Sequence, residues 1–477
     1  MKFTKMQTMK HPSFTLYGMA AGLILSLGSS CLAQDNPVVN KLFSDHMVLQ
    51  RGMPVPVWGT AKSGTMITVK FGRQEKTAEA DKDGKWMVRL DAMKTSIVPA
   101  KMIITATTGS APANIADVLV GDVYLCGGQS NMEFTMKEIK ADEDMAKANF
   151  PLIRHSKHGN GWNVCSPNTI GDFTGVGFYF GRRIHMETGI PIGLLNNSIG
   201  GSFIQSWIPP EGLEAVPVLK ESEDKQRAGY GQFHTTHTQA LMPFSIKGML
   251  WYQGEANTVN GGDPNYFQEM KALITGLRCA WNEGAFPVCF VQLANTVGIS
   301  ANPADVDGEA IIRMHQFKSL GIINTGMAVA IDIGTVPNIH PPNKFDVGNR
   351  LALWALAKDY GRDNLVYSGP LYKSMKIEGA KIRIAFDHVG KGLMLGKKDG
   401  LNPVVKNPTG KLRHFAIAGK NKRWVWADAV IDGNRVVVSS PDVPKPVAVR
   451  YAHCNRVEGC NLYNEDGLPA SPFCTEN

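Results

Sequence analysis

The hydrophobic and polar positions of this chain change period twice along its length. Between residues 36 and 115, short runs rich in Val, Ile and Thr (47–50, 53–59, 66–71, 86–90 and 102–106) alternate with turns containing Gly, Asp and Pro. Runs of that length and spacing predict the strands of a small β-sandwich. From residue 117 to about 363, apolar strand-like runs (118–126, 191–196, 246–252, 287–293, 327–333) alternate with segments of helical period (173–186 and 265–281). Alternation of that kind predicts a parallel sheet with helices on both faces. Leu351, Leu353, Trp354 and Leu356 mark the apolar face of a closing helix over 347–360. Beyond residue 369 the period returns to two, with strands expected at 381–386, 415–418, 424–426, 436–438 and 444–451. The domains read as 34–115 (β-sandwich), 116–365 (α/β) and 366–477 (β-rich, a second sandwich), without internal repeats or a low-complexity linker.

The first 33 residues fall outside this scheme. Lys2, Lys5 and Lys10 precede an apolar stretch over 14–27, and small residues follow, ending at Cys31-Leu32-Ala33. Those are the three parts of a secretory signal, with cleavage expected after Ala33 and the mature protein in the periplasm or medium. Lipidation at Cys31 is the weaker alternative, because Gly28 stands where a lipoprotein signal usually has leucine. The stretch is too short to remain as a spanning helix, so no stable membrane insertion is expected. Three of the chain's eight surplus positive charges lie in this segment, and the remaining Lys and Arg are dispersed. Nucleic acid is therefore a poor partner. Seven cysteines follow Cys31, an odd number that leaves at least one unpaired; Cys454 and Cys460 are near enough in sequence to pair. The absence of C-x-x-C and H-E-x-x-H patterns removes the usual zinc signatures. Nothing in the pattern fixes an oligomeric state.

Candidate chemistry centres on residues 123–132, an apolar strand that stops at Gly127-Gly128 and is followed at once by Gln129-Ser130-Asn131-Met132. A hydroxyl on a tight loop at the carboxyl end of a parallel strand stands where α/β sheets hold their ligands. Gly128 suggests a close backbone approach, as of a substrate. The plainer alternative is a capping box, with Ser130 as N-cap and Glu133 three residues on. It is not a G-x-S-x-G elbow, because Met132 stands at the second glycine. Three other strand ends carry polar groups: Asn196 to Ser202 with Gly200-Gly201, Gln253-Gly254-Glu255-Ala256-Asn257, and Asp332 running toward Asn338-Ile339-His340. Together these supply the parts of acyl transfer. A serine alcohol needs a base, and histidine has the suitable pKa. The oxyanion of a tetrahedral intermediate needs preorganised donors. Ser130, Gly200 or Gly201 offer backbone N–H groups, and Gln253 or Asn257 an amide.

These blocks, with 42–51, 54–59, 193–207, 247–257, 339–353, 372–379, 424–440 and 447–473, resemble the bacterial sialate O-acetylesterases of the SGNH-type hydrolase group over the whole mature chain. The resemblance implies a flavodoxin-like three-layer core carrying N-terminal and C-terminal β-sandwich domains. It implies an esterase that removes acetyl groups from sugar hydroxyls without metal or organic cofactor. Ser130 takes the nucleophile's place and His340 the base's, while Gly200, Gly201, Gln253 and Asn257 line the site. The chain departs from the group where the triad aspartate should precede the histidine, having Pro337 and Asn338 there. A Ser–His dyad is one resolution; Asp332, on the strand leading into the His340 loop, is the alternative acid. The expected partner is an O-acetylated sugar, a sialate or an acetylated polysaccharide such as xylan. A catalytically silent sugar-binding protein is the reading from another class. Trp207, Trp251, Tyr252 and Arg313 are candidates to contact a sugar ring, with core packing the alternative for the aromatics.

Overall fold

The computed structural model describes residues 38–221, 229–296, 300, 302–454 and 456–476; the signal-like segment and Cys31 lie outside them. The central sheet holds the site. Its strands are β1 (Ala113–Gly128), β2 (Phe150–Lys157), β3 (Asn163–Cys165), β4 (Ile192–Ser198), β5 (Gly248–Tyr252), β6 (Val288–Gln292) and β7 (Thr325–Val329). They lie in the order β3-β2-β4-β1-β5-β6-β7, all parallel except β3, which pairs antiparallel with β2. β1, β4 and β5 are buried along the core sheet, as apolar runs enclosed on both faces require. Register brings their carboxyl ends level: Gly128 pairs with Ser198 on one side and Tyr252 on the other.

Five helices matter here: α1 (Ser130–Glu133), α2 (Gly175–Thr188), α3 (Tyr266–Trp281), α4 (Gly308–Ser319) and α5 (Lys344–Asp359). α2 packs on α5, and α3 on α4. Each buried side chain of α2, among them Val176, Phe178, Phe180 and Ile184, contributes about 1.5–3 kcal/mol to the core. A Cβ at Gly348 of α5 would stand 2.7 Å from the Val176 carbonyl oxygen, so glycine sets how closely α2 and α5 approach. Capping begins the helices where the sequence provides it. Thr174 Oγ1 accepts the Gly177 N–H, Asp307 accepts from Glu309 and Ala310, and Asn343 accepts from Asp346.

The strand β1 is longer than its apolar run suggested, and it crosses the boundary drawn at residue 115. Its amino half pairs with Ser96–Ala106 and Val48–Gln50, and its carboxyl half belongs to the α/β core. A buried carboxylate rivets the two parts. Asp122 accepts from Gln50, Arg51 and the Tyr360 hydroxyl, which satisfies an acid that burial would otherwise penalise. Among the elements outside the sequence expectation, two bury polar side chains in the core. β2 carries Arg154, His155 and Ser156 in its buried stretch, and α4 buries Arg313 and Gln316. Beyond the core, strands at Leu371–Glu378, Lys381–Asp387, Asp428–Asp432 and Arg435–Ser439 form one sheet, and Phe415–Gly419, Trp424–Trp426, Pro446–Tyr451 and Phe473–Cys474 another. All seven described cysteines are free, Cys454 and Cys460 included; the Cys460 thiol donates instead to the Val457 carbonyl at 3.1 Å.

Candidate active site

Gly128 ends β1 at φ +129°, and a Cβ there would lie 2.1 Å from the Tyr252 carbonyl oxygen. The close approach read from the sequence is therefore to the neighbouring strand, not to a ligand. Gln129 then locks the turn: its N–H donates to the Tyr252 carbonyl, and its Oε1 accepts from Gly254 and Ala256. Gln129, not Ser130, is the N-cap of α1, and its side chain makes no cap bond. The capping-box reading fails for that reason. Ser130 occupies the first helical position, where its backbone N–H has no partner within the helix.

The Ser130 hydroxyl lies 2.8 Å from Nε2 of His340, 210 residues further on. Both residues are half-buried. With Ser130 Oγ–H donating, Nε2 is the acceptor and the ring proton sits on Nδ1. The His340 loop is tied to the Ser130 segment by main chain as well, since Asn131 Nδ2 donates to the Ile339 carbonyl at 3.0 Å. Burial first, and then the positive charge of Lys344, holds the His340 imidazole below its ordinary pKa, with Glu138 opposing. A histidine kept neutral and hydrogen-bonded to a serine hydroxyl can accept its proton.

Beneath the pair lies a buried polar relay that sequence reasoning did not assign. Asn131 donates to Glu255 Oε1 through a short contact and accepts another from Lys344 Nζ. Lys344 is wholly enclosed, with its ammonium 5.3 Å from the Tyr252 ring centroid. Burial drives both ends toward neutrality, raising the Glu255 carboxyl and bringing Lys344 down to about 7. The signal was present in the sequence as Asn131 beside Ser130 and Lys344 four residues after His340.

Several expected site residues stand elsewhere. The carboxylate of Asp332 accepts both terminal nitrogens of Arg350, at 2.6 and 2.8 Å, and the Tyr463 hydroxyl at 3.2 Å. Its side chain is 1% exposed, and among the described residues no hydrogen bond joins it to His340. Gln253 donates to Ser202 O and Asn257 Oδ1 and accepts from Tyr266. Asn257 donates to Gln205 and Asp263. Both amides are buried and spent on one another, so they brace the site from behind instead of facing a substrate. The Gly200 N–H is committed to Glu133 Oε2 at 2.7 Å, and Gly201 follows it on the same exposed turn. Trp207, Trp251 and Tyr252 are core residues at no more than 2% exposed. Arg313, with no exposed surface, bonds to Glu309 and to the carbonyls of Leu293, Ala294 and Cys454. Among the described residues, no three His, Cys, Asp or Glu side chains are placed to hold a metal ion. A cleft of about 840 Å³ opens beside the His340 loop, lined by Asp142, Asp144, Thr335, Pro342, Asn343 and the 398–401 turn.

Residues 120–353, which span the Ser130 turn, the buried relay and the His340 loop, match the family of carbohydrate esterases described as sialic acid-specific acetylesterases. The human sialate O-acetylesterase is 29% identical over 491 aligned residues, covering 90% of this chain and 91% of that protein. The rat enzyme is 30% identical over 418, covering 70% and 75%. A crystal structure of a carbohydrate acetylesterase from Xanthomonas citri superposes with a TM-score of 0.83 at 35% identity, over 93% of this chain and 100% of that one. The chain belongs to the sialic acid-specific acetylesterase family of carbohydrate esterases.

Proposed function

We propose that this protein hydrolyses acetyl esters of sugar hydroxyls through a Ser130–His340 dyad. The observation that carries the reading is the 2.8 Å contact between His340 Nε2 and Ser130 Oγ at the level carboxyl ends of β1, β4 and β5. His340 takes the Ser130 proton as Oγ attacks the acetyl carbonyl. The oxyanion forms against the backbone N–H groups of Ser130 and Gly201. Collapse expels the sugar alcohol, which receives the proton from His340 and leaves an acetyl-serine. Water, deprotonated by the same imidazole, then releases acetate and restores the hydroxyl. The scaffold is read as a variant of the flavodoxin-like SGNH core. Its six parallel strands, numbered along the chain, run 2-3-1-4-5-6, where the flavodoxin order is 2-1-3-4-5.

The protein acts outside the cytoplasm in this reading, after removal of residues 1–33. Support comes from the tripartite pattern of that segment; among the described residues no helix is long and apolar enough to cross a membrane. The test is acetate release from O-acetylated sialosides and acetylated xylo-oligosaccharides, which also identifies the sugar. Release from at least one class is expected. Glycan binding without release from any would make it a binding protein and defeat the proposal.

A further inference from the structure

His340 lacks a hydrogen-bond partner on Nδ1 among the described residues, so the bond to Ser130 alone leaves the imidazole free to swivel about its outer torsion. A triad carboxylate has two tasks: it fixes the ring's orientation, and it stabilises the imidazolium formed when the proton arrives. The ring of Phe134 lies flat against His340, with centroids 4.4 Å apart and planes 23° from parallel. We infer that Phe134 performs both tasks as the positioning residue of the base, with its π face standing in for the absent acid. The inference rests on the Ser130–His340 reading above.

Phe134 is well placed for this. It is the C-cap of α1, so the nucleophile and the residue that registers the base belong to one short segment. That segment is clamped to the start of α2. Thr174 Oγ1 donates to the Met132 carbonyl at 2.6 Å, the Gly175 N–H to the Phe134 carbonyl at 2.9 Å, and the Met136 N–H to the Phe173 carbonyl at 2.9 Å. On the other side, the His340 N–H donates to Asn338 Oδ1 at 2.8 Å, and Asn131 holds Ile339. The hydrogen bond to Ser130 fixes one edge of the imidazole, and the Phe134 face fixes its plane. When the ring becomes cationic, it already lies over an aromatic face, an arrangement that favours the charged form. The charged groups acting on His340 are Lys344, from α5, and Glu138, from the loop after Phe134. Lys344 is the stronger of the two and disfavours the imidazolium, which makes the aromatic face the neighbour that favours protonation without bearing charge.

The experiment compares Phe134→Leu, Phe134→Tyr and Ser130→Ala with the parent, using p-nitrophenyl acetate across pH. Leucine keeps apolar cover over the imidazole but removes the π face. Phe134→Leu is expected to lower kcat about tenfold, the size of one half-buried cation–π contact, with KM within about twofold. The ascending limb of kcat/KM should move to lower pH, because the imidazolium is less stabilised, and Phe134→Tyr should restore both. If kcat holds within about twofold, if the limb stays in place, or if tyrosine fails to restore it, Phe134 is only a packing residue and the inference falls. Should Ser130→Ala keep its turnover, the dyad itself fails whatever Phe134 does. A dead Ser130→Ala beside an unchanged Phe134→Leu would defeat the present inference alone.

Discussion

Replacing Asp332 by Asn separates two accounts of the same residue. In the structure Asp332 is the inner half of a buried ion pair, bonded at 2.6 and 2.8 Å to Arg350, with side chains 1% and 7% exposed. Its other contact is the Tyr463 hydroxyl at 3.2 Å, so it joins the base of the His340 loop, α5 and the C-terminal region. Asparagine keeps one acceptor oxygen, but it turns an N–H group toward a largely buried guanidinium and removes the charge that balanced it. Breaking a buried pair in this way costs about 3–5 kcal/mol. For a core of this size that should lower the melting midpoint by roughly 10 °C. Because the carboxylate does not reach His340, kcat/KM measured well below that midpoint should fall less than about 100-fold. Neutralising a true triad aspartate costs about 10⁴-fold with the fold intact. Calorimetry and steady-state kinetics on one preparation give both numbers. A loss near 10⁴ with an unmoved melting midpoint would refute the dyad and make Asp332 the acid.

Two predictions concern pH. Glu269 is buried beside Asp263, and burial followed by that neighbouring charge holds its carboxyl well above the ordinary range. It binds its proton more tightly in the fold than in the unfolded chain, so its contribution to stability is present at acid pH and lost as pH rises through the folded value. Glu269→Gln mimics the protonated form, and its melting midpoint should overtake the parent's increasingly from about pH 4.5 upward; a gap that narrows would contradict this. Lys344→Met removes the charge that helps depress His340. The ascending limb of kcat/KM should then move to higher pH, opposite to the shift expected for Phe134→Leu, and a limb that stays or moves down would count against the buried relay.

The sequence disclosed most where one period dominated. The runs that became β1, β4, β5 and β6 are mostly apolar, with their polar residues few or gathered at the strand ends, and α3 and α5 have clear faces. It disclosed least where a buried position is polar. Arg154 on β2 is held by Asp117 and by the His46 carbonyl, and His155 stacks on Phe173 at 4.6 Å. To a reading by hydropathy that stretch resembles a surface loop. The site shows the same division. That Ser130 and His340 would be brought together was legible because few pairs of side chains suit acyl transfer, and the structure places them 2.8 Å apart. Gln253 and Asn257 were not legible, because an amide at a strand end can face a substrate or a neighbouring amide, and only the packing of Gln205, Asp263 and Tyr266 decides which. Asp332 lies eight residues before His340 but finds its partner in Arg350, eighteen residues on, across a helix the loop must first enter.

A nucleophilic Ser130 activated by His340 should be open to covalent labelling. Diethyl p-nitrophenyl phosphate tests it directly, because a serine oxygen made nucleophilic by its base displaces p-nitrophenolate and keeps the diethylphosphoryl group. Intact mass spectrometry and peptide mapping should find one adduct per chain, on Ser130, with acetate release lost in step. In His340→Ala the adduct should form at least about 10³-fold more slowly. An adduct on another residue, or labelling of Ser130 that proceeds equally fast without His340, would contradict the account.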